Sequence, residues 1–105
     1  MAATLALAAM ALVAAGDGHA ADPTVTTVTI DGFAFHPAVV TIKAGATIVW
    51  RNTDPVPHTA TARDAGLDSG EIPANGSYRF VASKKGRFAY VCTFHPIMRG
   101  TLVVE

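Results

Sequence analysis

Two patterns of apolar and polar positions divide the chain. From Met1 to Ala15 every residue but Thr4 is apolar, and so uniform a run carries no period. From Val25 onward, apolar and polar residues alternate over short stretches that end at Gly, Pro, Asp or Asn. That is the pattern of strands with one face in a core and the other in solvent. Val25–Asp31 predicts a strand with Val28 and Ile30 on one face, ended by an Asp31-Gly32 turn. Phe33 and Phe35 lead to Pro37, and Val39–Lys43 follows before Ala44-Gly45. Thr47–Arg51 predicts a strand with Ile48 and Trp50 sharing a face. Asn52–Pro57 holds two prolines and reads as a loop, and His58–Ala62 as a short strand. Arg63–Gly76 is rich in Gly, Asp, Pro and Asn and is expected to be irregular. Ser77–Ala82 places Tyr78 and Phe80 on one face. After the basic turn Lys84-Lys85-Gly86, Arg87–Cys92 aligns Phe88, Tyr90 and Cys92. Thr101–Glu105 closes the chain. Phe33, Phe35, Trp50, Phe80 and Tyr90 are most simply core. About seven short strands, no sustained helical period and no internal repeat predict an all-β fold, a small antiparallel Greek-key β-sandwich.

The apolar leader is too short for a comfortable membrane span, which needs roughly 20 apolar residues. It fits the central part of a secretory signal peptide, with Gly18-His19-Ala20 before Ala21 as the cleavage site. The expected division is a signal segment over residues 1–21 and one domain over 22–105, exported to the periplasm, with no membrane span in the mature form. A structural first helix or a retained anchor is the competing reading. No basic residue precedes the run, and no cysteine near residue 21 invites a lipid anchor.

Composition narrows the function. The chain has 105 residues, enough for one domain. Eight Lys+Arg balance eight Asp+Glu, for a formal net charge of +0. A nucleic-acid binder usually carries a basic excess, and none is present. No paired carboxylates, Gly-rich phosphate loop or Ser/His/Asp arrangement is evident. The single cysteine, Cys92, cannot form an internal disulfide. In an oxidising compartment a lone thiol is a liability unless it is buried or committed to a ligand.

The run Cys92-Thr93-Phe94-His95-Pro96-Ile97-Met98 sets a thiol, an imidazole and a thioether three residues apart. Pro96 argues against a helix, so a tight loop between strands is expected to wrap the three around one point. His58, upstream, is a fourth donor if its strand lies beside the one ending at Cys92. Two imidazoles, a thiolate and a weak thioether suit copper in both oxidation states. Zinc seldom takes methionine, and calcium and magnesium want oxygen donors. Taken singly, Cys92 also reads as a buried small hydrophobe, His58 as a loop histidine and Met98 as core filling; their joint spacing favours a metal. Four protein donors leave no open position for a substrate, which argues against an enzyme. His36 precedes a proline without a neighbouring thiol and reads as a solvated turn residue. His19 falls in the leader.

These residues resemble the cupredoxins, most closely the amicyanin-like and pseudoazurin-like blue copper proteins. The likeness runs from Val25 to Glu105. It is carried by Asn52 through Pro57-His58, by Tyr90 through Gly100 with its Cys-x2-His-x2-Met spacing, and by Phe35-His36-Pro37 with Val40 and Gly45. The resemblance implies one type 1 Cu(I)/Cu(II) ion, with His58, Cys92 and His95 as equatorial ligands and Met98 as the long axial one. It implies a monomeric one-electron carrier between transient redox partner proteins of dehydrogenase, cytochrome or oxidase type. Electrons are expected to leave through His95, inside an apolar patch of Pro57, Phe94, Pro96 and Ile97. The alternative is a copper storage or delivery protein with exchangeable copper. A third possibility is a structural domain that keeps the ligands without the metal. Two positions depart from the amicyanin-like pattern. Phe94 stands where proline is common, and its N–H is expected to give the Cys92 sulfur a second hydrogen bond beside one from Thr59. Thr59 stands where asparagine is common, and a weaker contact with Thr93 is expected.

Overall fold

The computed structural model describes residues 24–105. The expected leader over 1–21 lies outside the described residues. Among the described residues nine strands build two sheets: β1 (Val25–Ile30), β2 (Phe35–His36), β3 (Val39–Ile42), β4 (Thr47–Asn52), β5 (Thr61–Ala62), β6 (Leu67–Asp68), β7 (Ser77–Val81), β8 (Gly86–Val91) and β9 (Arg99–Val104). One sheet runs β2-β1-β4-β7, the other β3-β9-β8-β5-β6. This is the expected all-β sandwich.

The pairing is not wholly antiparallel. β1 lies parallel to β4, and β3 parallel to β9. The chain leaves the first sheet after β2, lays β3 in the second and returns with β4, so β4 re-enters alongside β1 in the same direction. The segment 63–76, expected to be irregular, contains a short 3-10 turn at Arg63–Ala65 and strand β6. The strand expected over 58–62 shrinks to β5, while His58 forms an isolated bridge with Ile72.

Period-2 alternation decides which side chains enter the core. Val28 and Ile30 of β1, Ile48 and Trp50 of β4, and Leu102 of β9 are wholly buried. Each large apolar side chain removed from water contributes roughly 1.5–3 kcal/mol. Tyr90 packs edge-on against both Trp50 and Phe35. The inward faces run on beyond the apolar residues. Past Trp50 the face of β4 reaches Asn52, and past Tyr90 the face of β8 reaches Cys92; both are fully buried. The two sheets therefore deliver polar side chains to one end of the sandwich.

Phe33 departs from the core assignment. It is 46% exposed, and with Gly32 it adopts a left-handed backbone conformation. Phe80 is only partly buried and packs against the edge of the core.

Candidate metal centre

The loop after β8 is two consecutive turns. The His95 amide donates to the Cys92 carbonyl at 3.2 Å and the Met98 amide to the His95 carbonyl at 2.8 Å. The Cys92 amide donates to the Met98 carbonyl at 3.1 Å, which closes the loop. Pro96 occupies the second position of the second turn, where its fixed φ is favoured. The three-residue spacing thus brings Cys92, His95 and Met98 to the corners of a closed loop. Cys92 and Met98 are buried, His95 is half-buried, and Ile97 at the tip points into solvent.

His58 arrives from the other side. β5 pairs with β8 through Thr61 and Val91, so the segment leading into β5 runs beside Cys92. The Thr59 amide donates to Cys92 Sγ at 3.3 Å, as the sequence led us to expect. Donor atoms of His58, Cys92 and His95 all lie within 4.8 Å of one another. Each Nδ1 of the two histidines is 3.7 Å from Cys92 Sγ. That separation is long for a hydrogen bond, but it suits two ligands of one ion. Metal bonds of about 2.0–2.3 Å subtending roughly 115° at the ion span such a distance. The residues therefore fit a small thiolate- and imidazole-binding ion. Met98 lies in the same closed loop, with its side chain 2% exposed. His36 stays outside the cluster, exposed, and donates from Nε2 to the Asp31 carbonyl at 3.0 Å.

A supporting carboxylate escaped the sequence reading. Asp54, 5% exposed, accepts from His58 Nε2 at 2.8 Å and from the amides of Gly32 at 2.7 Å and Phe33 at 2.9 Å. A carboxylate can only accept, so neutral His58 carries its proton on Nε2 and presents the Nδ1 lone pair to the centre. Burial works to raise the Asp54 pKa, but the Phe33 and Gly32 amides and His58 outweigh it and hold the carboxyl below its ordinary 3.8. Its position four residues before His58 was the available signal, but a buried role for an Asp just ahead of two prolines is not evident without the partner loop at 32–33.

Asn52 holds the segment that carries Asp54 and leads to His58. Its amide group donates to the carbonyls of Val56 at 2.8 Å and Ile72 at 3.0 Å, while its Oδ1 accepts the Asp54 amide at 2.9 Å. Thr59 is better connected than expected. Its Oγ1 accepts the Thr93 amide at 2.8 Å and lies 3.2 Å from Thr93 Oγ1. The Phe94 amide makes no hydrogen bond to Cys92 Sγ among the described residues; the sulfur's amide donor is Thr59, from the segment leading into β5. Phe94 instead turns its ring outward and is 49% exposed.

The family model of the cupredoxin-like domain matches residues 3–104. Amicyanin-alpha of Methylorubrum extorquens is 34% identical over 108 residues, spanning 98% of this chain and 88% of that protein. The crystal structure of amicyanin from Paracoccus versutus superposes with a TM-score of 0.71 at 29% identity, covering 80% of this chain and 84% of that one. The reduced state of an amicyanin variant with phenylalanine in place of a proline superposes with a TM-score of 0.70 at 30% identity, covering 77% and 82%.

Proposed function

The chain belongs to the cupredoxin-like family, and on that premise we propose that it is a small exported blue copper protein. It carries one electron at a time between redox partner proteins and binds one type 1 copper ion. His58, Cys92, His95 and Met98 would hold that ion, and copper there would supply the one-electron chemistry. The observation that carries this reading is the pair of 3.7 Å separations between Cys92 Sγ and the two Nδ1 atoms.

The chain's own residues hold the surroundings of the ion still. Asp54 keeps the His58 proton on Nε2. The Thr59 amide offsets negative charge on the Cys92 sulfur. The Thr59–Thr93 pair ties the two ligand-bearing segments together. A centre clamped from both sheets changes little between oxidation states, which keeps the cost of each transfer low.

His95 is the exit for the electron, because it is the half-buried member of the cluster. Phe94 is 49% exposed and Ile97 87% exposed on either side of it. An apolar contact of this kind suits brief docking with a dehydrogenase, cytochrome or oxidase. With a net charge of +0, long-range steering is modest. The protein works as a monomer in the periplasm, with residues 1–21 as the signal segment and 22–105 as the copper domain.

Copper delivery requires an ion that leaves easily, and full burial of His58 and Cys92 works against that. The test is to load the protein with copper, cycle it with a one-electron reductant and oxidant, and challenge it with a weak chelator. Reversible cycling with copper retained is expected. Rapid loss of copper to the chelator would support delivery instead.

A further inference from the structure

Phe33 is an aromatic residue at a costly position. Its φ is 59°, next to Gly32 at 63°, and few non-glycine residues adopt this left-handed region. The Asp54 carboxylate takes both the Gly32 and the Phe33 amides, inside a turn also closed by the Asp31 amide on the Ala34 carbonyl. The result is that the Phe33 ring stands nearly perpendicular to two imidazoles at once. Its centroid is 5.1 Å from His58 at 86° and 5.0 Å from His95 at 87°. The two imidazoles are themselves 5.1 Å apart. Such edge-to-face pairs contribute beyond the area they bury.

We propose that Phe33 is a positioning residue of the metal centre, a cap braced against both histidines and pinned by Asp54. The same carboxylate that orients His58 sets the backbone from which the cap projects. Among the described residues the nearest polar partner of the His95 ring is the Cys92 sulfur at 3.7 Å, so ring contacts, that of the cap among them, limit its movement toward solvent. The half-exposed ring also shields that side of the centre from water.

The effect on copper rests on the function proposed above; the contact itself does not. The test therefore has two arms. In the metal-free protein, NMR follows the carbon-bound ring protons of His58 and His95. Phe33→Leu is expected to shift both sets. Asp54→Asn is expected to shift those of His95 as well, although Asp54 does not touch His95, because the cap loses its pin. In the copper-loaded protein, Phe33→Leu is expected to keep its colour but to release copper to a strong chelator about ten-fold faster, as losses of outer supporting contacts typically do. Phe33→Tyr, which keeps the ring, is expected to restore the slow release. Unmoved His95 signals in both Phe33→Leu and Asp54→Asn would overturn the cap, as would an unchanged release rate in Phe33→Leu. A wild-type chain that takes up no copper would overturn the copper reading and leave the NMR arm to decide the cap.

Discussion

At the scale of single residues, Asp54 and Tyr90 make opposite uses of burial. Asp54 is buried as an anion because three donors meet it. Its folded pKa lies below the ordinary 3.8, so the unfolded chain takes up the proton first as pH falls. The stability it contributes is complete above the unfolded value and is lost as pH drops through the folded one. In urea titrations of the metal-free protein, Asp54→Asn is expected to cost about 2–3 kcal/mol at neutral pH, the usual worth of a hydrogen bond to a charged group. The deficit is expected to narrow below about pH 4. An equal deficit at all pH values would show that the charge contributes nothing. Tyr90 is buried neutral. Burial pushes its hydroxyl up to about 12, offset only in part by the Trp50 side chain beside it. Here the unfolded chain loses its proton first as pH rises, so stability is complete below about pH 10 and falls by about 3 kcal/mol toward pH 12. Neither Tyr90 Oη nor Trp50 Nε1 makes a hydrogen bond among the described residues. Tyr90→Phe is expected to flatten the alkaline decline at a neutral-pH cost below about 1 kcal/mol.

Between elements, the close approach of β8 and β9 sets the loop. Tyr90 pairs with Gly100 in register, and a methyl group at position 100 would overlap the ring carbon that bears the Tyr90 hydroxyl. Gly100→Ala is expected to destabilise the fold by about 1–3 kcal/mol, read from chemical denaturation, and to disturb the loop between the strands. The strands themselves were legible, because Val28/Ile30, Ile48/Trp50 and Phe88/Tyr90/Cys92 share faces at a period of two and their faces are the buried ones. The ligand loop was legible too, because three donors at equal spacing around Pro96 match two successive turns. Partners distant in sequence were not. The parallel pairs β1/β4 and β3/β9 depend on how the chain crosses between sheets, which alternation does not encode. Phe33 was assigned to the core because hydrophobicity says nothing about a backbone pinned by a carboxylate 21 residues away. β6 was hidden in a segment whose glycines and single proline mark turns but not the short pairing between them.

For the whole molecule, the proposed copper ion is expected to stabilise the sandwich that holds it. The inward faces of both sheets end on the centre, so an ion held by His58 from one segment and Cys92 and His95 from another links elements that are far apart in sequence. An ion that binds only the folded state at about a thousand times its dissociation constant adds about 4 kcal/mol. For a domain of this size that raises Tm by on the order of 15–30 °C. Removing copper is expected to reverse the gain, and Cys92→Ser is expected to remove any response to copper. Equal melting curves with and without metal would uncouple the centre from the fold. The central claim is that Cys92 thiolate, His58 and His95 share one copper ion in a type 1 arrangement. The most direct measurement is titration of the purified metal-free protein with Cu(II), followed by visible absorption and EPR. One equivalent is expected to give an intense thiolate-to-copper band and narrow copper hyperfine splitting, both absent in Cys92→Ser. A colourless protein, or a weak band with the wide splitting of ordinary Cu(II), would contradict the account.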